Sequence, residues 1–213
     1  TLLIKNIMTG EIDPENQFPW QSVIYSESHD DFAFIDRICS SGENSGMNPS
    51  FEEVKKAELA IIISLLSPGI PMLSAGQDFL RSKRGIRNTY LEPEINALDY
   101  QRLEKFKNFS CRIRSAISFR LSKRGEFARP RSKNDCVYQT GVVEGKVFSL
   151  TITPRNNDEE FLFLCNPCNE ILDFKIPESC NAYETILPPM NHLNSSKELK
   201  PWHYFLLARK LSP

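Results

Sequence analysis

"FEEVKKAELAIIISLLSPGIPMLSAG", residues 51–76, holds two apolar runs separated by a Pro-Gly stop. Ser50 and Glu53 stand at the S-x-x-E spacing of a capping box, which satisfies the free N–H groups of a first helical turn, so a helix opens at residue 51. Pro68 and Gly69 close it, because proline cannot continue the helical hydrogen-bond ladder and glycine turns easily. "IPMLSAG" (70–76) then reads as a strand. Outward on the other side, "WQSVIYSE" (20–27) is a second apolar run of strand length, and "GENSGMNPS" (42–50) is turn chemistry. Two apolar strands flanking a helix predict parallel pairing, since a parallel neighbour is reached only through a long crossover.

The upstream strand ends abruptly in "SESHDD" (26–31), a cluster of ionisable groups. In a βα barrel, catalytic groups sit at the C-terminal ends of strands, where side chains leave the packed interior. A loop salt bridge or a helix cap is the simpler alternative for a His-Asp pair in that place. Glycoside cleavage needs carboxylates around an anomeric carbon that becomes positive in the transition state. An additional Asp beside a His suits that task.

Downstream of a polar loop, "RSKRGIRNTYLEPEIN" (81–96), Leu103, Phe106, Phe109, Ile113 and Ile117 recur every three or four residues and predict a helix over 99–120, their aromatic rings serving the core. "SKRGEFARPRSKND" (122–135) has no apolar periodicity and reads as a solvated basic link at a domain boundary. Beyond it the period becomes two: Phe148, Leu150 and Ile152 alternate with Ser149 and Thr151, then Leu172, Phe174 and Ile176 with Asp173 and Lys175. Turn signals between these runs predict a small antiparallel β-sandwich, closed by "PWHYFLLARKL" (201–211). The expected organisation is therefore α/β over 1–122, a linker over 123–135 and an all-β domain over 136–213.

Bulk composition narrows the partners. The 213 residues are 40% hydrophobic and 25% charged, as in an ordinary globular protein. Lys and Arg number 26 against 27 Asp and Glu, for a formal net charge of -1, which speaks against a nucleic-acid partner. The longest apolar segment, "AIIISLL" (60–66), falls short of the roughly 20 residues a membrane span needs, and no basic-then-apolar leader opens the chain at Thr1. The six cysteines, Cys39, Cys111, Cys136, Cys165, Cys168 and Cys180, are unframed and favour a reducing, cytoplasmic setting. "CNPC" (165–168) has half-site spacing without a second half, so it reads as two thiols at a strand-to-turn junction. His192 and His203 read as surface or sandwich residues. No run of oxygen ligands resembles a calcium loop, so neither metal nor cofactor is expected.

The wider chain resembles the α-amylase-like glycoside hydrolases, in particular their pullulanase and debranching branch. "VIYSESHDDFAFIDRI" (23–38) is similar to the segment after barrel strand seven, where a Y-x-E-S-H-D-N run supplies a substrate-binding His and the third catalytic Asp. "LLSPGIPMLSAGQDFLRSK" (65–83) is similar to the helix and eighth strand, Q-G-I-P-F-x-x-x-G-x-E-F-x-R-[ST]-K. "RNTYLEPEINALDY" (87–100) resembles N-S-Y-x-x-x-D-x-x-N-x-[IL]-D-W, and "EEFLFLCNPCNEILDFKIP" (159–177) resembles a strand-turn-strand of the family's C-terminal β-domain.

The resemblance implies the closing βα units of a (β/α)8 TIM barrel followed by an antiparallel β-sandwich. It implies that Asp30 is the catalytic carboxylate that stabilises the transition state, and that His29, Asn88 and Tyr90 bind substrate, an α-glucan polysaccharide. The family's nucleophile and general acid belong to barrel strands four and five, which would lie before Thr1. The remainder of that barrel is thus an expected partner, and the chain alone is expected to be inactive. Asp31 replaces the pattern's Asn, Asp78 its Glu, and Glu92 or Glu94 the acid of a run one residue shorter. The expected activity is retaining hydrolysis of α-1,6 branch linkages. The alternatives are a branching or transferring relative, or a noncatalytic glucan-binding subunit.

Overall fold

The computed structural model describes residues 2–11, 21–39, 46–143, 146–173, 183–188 and 198–211. Phe174, Ile176, Cys180, His192 and Trp20 lie outside them. The capping box forms as its spacing dictates: Ser50 Oγ accepts from the backbone N–H of Glu53 at 3.2 Å, and the Glu53 carboxylate accepts from the N–H of Ser50 at 2.7 Å. It opens α3 (Phe51–Leu66), which follows α1 (Leu2–Thr9), β1 (Val23–Ile24) and α2 (Phe34–Ile38). Beyond α3 the chain enters β2 (Ile70–Pro71), which pairs with β1 in parallel, Val23 opposite Ile70. The strand–helix–strand order is therefore observed.

Both strands are shorter than their apolar runs. Backbone bonds extend the ladder only from Ser22 to Ile24 against Ile70 to Met72. The chain then turns where Gln77 Nε2 donates to Ser26 Oγ at 2.6 Å. Gly76 makes the turn before Gln77 possible with φ at +87°, and a Cβ there would meet Arg81 Cβ at 2.8 Å. The apolar side chains of the pair alternate: Ile24 is buried, while Val23, Tyr25, Ile70 and Met72 are exposed.

The helix expected over 99–120 is two helices, α5 (Gln101–Lys105) and α6 (Lys107–Leu121), after the short α4 (Pro93–Asn96). Phe106 leaves helical geometry at φ -113° and ψ 31°, yet its N–H still bonds the carbonyl of Arg102 and its carbonyl still accepts from Ser110. The 3.6-residue pattern survives this kink, and Phe109 and Ile113 are buried. Two charges from these helices are buried against backbone carbonyls of other segments. Arg102 donates to the carbonyls of Gly46, Met47 and Leu80. Arg120 donates to those of Leu65, Ser67 and Gly69 at 2.6, 2.8 and 2.6 Å, where α3 ends. Burial pulls the Arg120 pKa down to about 10, still high enough to stay charged at neutral pH.

Five strands, β3 (Cys136–Val143), β4 (Val147–Pro154), β5 (Glu159–Cys165), β7 (Glu184–Leu187) and β9 (Tyr204–Lys210), form an antiparallel sheet in the order β3-β4-β5-β9-β7. A small pair, β6 (Leu172–Asp173) and β8 (Glu198–Leu199), stands apart from it. The period-two pattern decides both faces. Phe148, Leu150, Ile152, Phe161, Phe163, Leu206 and Ala208 pack on one side against α3 and α6, while Val147, Leu164 and Leu207 meet Leu172 and Leu199 on the other. The helices and the sheet thus share one core.

The segment 122–135 is folded rather than a solvated tether. It forms 3-10 turns at Arg124–Ala128 and Lys133–Asp135. The Phe127 ring sits 4.8 Å from that of Phe161 and 5.9 Å from that of Phe119, and Arg124 grips Glu159 through two bonds of 2.9 and 2.7 Å. A carboxylate also joins the layers. Buried Glu58 of α3 accepts from Lys55 at 3.1 Å, from Arg112 of α6 at 2.6 Å and from Tyr204 of β9 at 3.2 Å.

Candidate functional site

The ionisable cluster lies just past the C-terminal end of β1, and its members have different surroundings. Glu27 points inward, 3% exposed, and its carboxylate accepts from the backbone N–H of Phe34 at 2.8 Å. Burial raises its pKa above the ordinary value, against that hydrogen bond and the charges of Arg81 and Lys83. Asp30 points outward and is exposed. Ser28 Oγ donates to it at 2.5 Å and holds its pKa below the usual carboxylate range.

Asp31 is committed to cations. Arg37 of α2 pairs with it directly, Arg87 lies 3.4 Å from its other oxygen, and its pKa is lowered, first by the Arg37 hydrogen bond. Among the described residues no Lys or Arg pairs with Asp30. The adjacent carboxylates of the sequence are therefore divided: Asp31 is paired with arginines, while Asp30 is exposed and bonded by the Ser28 hydroxyl.

Arg87 also stacks over the Phe32 ring at 5.5 Å, which ties the loop after β2 to the His29–Asp31 turn. That loop carries the other residues singled out by sequence. Asn88 takes a left-handed conformation with φ at 49°, and Tyr90 is 72% exposed. Thr89 between them is buried and donates to Asn96 Oδ1 at 2.6 Å, and Arg81 donates to both oxygens of Asn96 at 3.1 Å. The buried Thr89 turns its two neighbours outward. His29 is exposed as well, so all four predicted residues lie at the surface of two loops joined by Arg87. Glu92 and Glu94 are exposed and make none of these contacts.

Sequence reasoning missed the layer below. Lys83, 1% exposed, donates from Nζ to the carbonyls of His29 and Asp31, while its backbone N–H bonds Asp36 at 2.7 Å. Ser82 Oγ donates to the other oxygen of Asp36 at 2.5 Å. The signal was the closing R-[ST]-K of the strand-eight pattern, whose Lys is Lys83. Elsewhere, the C-x-x-C stretch is the junction its spacing suggested. Cys165 ends β5 and Cys168 lies in a turn built by buried Asn166, which donates to the carbonyls of Glu170 and Leu199 at 2.8 and 2.9 Å. His203 is half-buried, its Nδ1 2.9 Å from the carbonyl oxygen of Pro201.

No family model matches the chain. Individual proteins do. It is 39% identical over 105 residues to the pullulanase of Bacillus subtilis, a match covering 48% of this chain and 14% of that protein. It is 26% identical to the glycogen debranching enzyme of Dickeya chrysanthemi, over 75% of this chain and 30% of that protein. The chain thus spans less than a third of the length of either relative. Among solved structures, the pullulanase of Anoxybacillus sp. LM18-11 superposes with a TM-score of 0.82 at 18% identity, covering 98% of this chain and 30% of that one. The Bacillus subtilis pullulanase complexed with maltose gives 0.78 at 21% identity, over 98% and 31%. The Paenibacillus barengoltzii pullulanase in complex with maltohexaose and α-cyclodextrin gives 0.73 at 23%, over 97% and 33%. By sequence over part of its length the chain is similar to a pullulanase and a glycogen debranching enzyme, and by fold over nearly all of it to solved pullulanases.

Proposed function

We propose that the chain is the C-terminal part of a retaining debranching glycoside hydrolase that cleaves α-1,6 linkages in α-glucans. In this reading β1 and β2 are the seventh and eighth strands of a (β/α)8 barrel, residues 1–122 complete that barrel, and 136–213 form its C-terminal β-domain. The nucleophile and general acid belong to the remainder of the barrel. Asp30 supplies the third carboxylate. The carrying observation is the division between neighbours: Asp31 is held by Arg37 and Arg87, while Asp30 is kept ionised by Ser28 and is exposed at a strand end.

A retaining glycosidase passes twice through an oxocarbenium-like transition state, once on forming and once on hydrolysing the glycosyl-enzyme. A fixed negative charge near the sugar stabilises that positive charge in both steps and does little for the neutral ground state. His29, Asn88 and Tyr90 surround the same loops and are assigned to hydrogen bonding and stacking on the glucose units. The cytoplasm remains the proposed compartment.

The test is hydrolysis of pullulan by the full-length protein. Asp30→Asn is expected to lower kcat and kcat/KM together by about a hundredfold, about 3 kcal/mol of barrier, with KM nearly unchanged. Asp31→Asn restores the family's residue and is expected to change kcat little. Loss of activity on Asp31→Asn with Asp30→Asn intact would reverse the assignment. The 213-residue chain by itself is expected to release no reducing sugar.

A further inference from the structure

Lys83 is a buried charge beside the candidate site for which the proposed function has no role. A lysine ammonium with 1% exposure must find acceptors or give up its proton. It finds carbonyls: Nζ donates to His29 O at 3.2 Å and also to Asp31 O. Among the described residues it forms no ion pair. Burial, and after it the charge of Arg81, lower its pKa below the ordinary lysine value, against the charges of Glu27, Asp36 and Asp31. The two carbonyls bracket Asp30. They belong to the peptide planes before Asp30 and after Asp31, so holding both restricts the torsions from which the Asp30 side chain departs. The turn's own backbone offers only a long bond, Asp31 N–H to Ser28 O at 3.4 Å. Asp36 in turn fixes Lys83 by accepting from its backbone N–H at 2.7 Å.

We propose that Lys83 is the positioning residue of this site, gripping the carbonyls of His29 and Asp31 so that the carboxylate between them leaves the turn in one direction. The inference rests on the assignment of Asp30 as the stabilising carboxylate. Its energetic logic is that catalysis by a fixed charge depends on placement to within about an ångström.

Two measurements test it. In the full-length protein, Lys83→Met keeps the length of the side chain and removes the donor. kcat on pullulan should fall about tenfold or more with KM within about threefold, because binding by the exposed residues persists. Added to Asp30→Asn, the same change should cost less than about threefold further, since it acts through Asp30. Full additivity of the two substitutions, or an unchanged kcat in Lys83→Met, overturns the proposal. Should Lys83→Met not fold, NMR of the unaltered 213-residue chain decides: the Lys83 ammonium protons should exchange about tenfold or more slowly than those of exposed lysines, with scalar coupling to the His29 and Asp31 carbonyls. Rapid exchange without such coupling overturns it. A silent Asp30→Asn sinks the catalytic reading by itself, and the couplings then decide separately whether Lys83 anchors the turn.

Discussion

Glu27 and Asp30 stand on the same turn, and their surroundings drive their carboxyls in opposite directions. Burial raises the pKa of Glu27, whereas the Ser28 hydroxyl lowers that of exposed Asp30. For Glu27 the folded protein holds its proton to a higher pH than the unfolded chain does. Its stabilising contribution is therefore complete below the unfolded value and is lost as pH rises through the folded one. Glu27→Gln can keep the bond from the Phe34 N–H while removing the charge. We expect the variant to gain stability relative to the parent as pH rises from about 4 to about 8, read by urea denaturation across that range. A constant difference at every pH would show that Glu27 does not titrate in that window. The sequence displays the residues of this site but not their division of labour. Asp30 and Asp31 look equivalent on the page, and what separates them is Arg37 of α2 together with Arg87, which reaches Asp31 from another loop.

Elements were legible where their signals are local. Ser50 and Glu53 are three residues apart, and the box they form is readable without knowing the fold. The other end of α3 is different, since its last turn contains no basic residue and Arg120 reaches it from α6. Arg120→Met would leave the buried carbonyls of Leu65 and Ser67 without that donor. The expected loss is about 3 kcal/mol of folding stability, measured by chemical denaturation. Ser50→Ala, which removes one cap bond at the exposed end, should cost only about 1 kcal/mol. If the two variants lost equal stability, the end of α3 would be stabilised by something other than Arg120. The kink at Phe106 escaped the sequence because the apolar spacing continues unbroken through it.

Across the whole molecule, the change of period from 3.6 to 2 correctly separated helices from sheet, but it hid how the two meet. Phe127 belongs to the stretch that reads as a solvated link, yet its ring packs with those of Phe119 in α6 and Phe161 in β5, which also touch each other. Periodicity reports which face of an element is apolar and says nothing of what covers it. With one core for both layers, Phe161→Ala should cost about 3–5 kcal/mol and lower the stability of helices and sheet together. Far-ultraviolet ellipticity and tryptophan fluorescence should then trace one transition in parent and variant alike. A helical signal that outlasts the sheet would contradict the shared core.

Glu58 has a bearing on how such proteins diverge. Its carboxylate is completed only when α3, α6 and β9 are all in place, because Lys55, Arg112 and Tyr204 each come from a different one of them. A β-domain transplanted from a distant relative without a hydroxyl at the position of Tyr204 takes away one of the three donors to this buried carboxylate and leaves it to Lys55 and Arg112. Three-way joints of this kind act as compatibility locks: they tie the inheritance of the sheet to that of the helices beneath it.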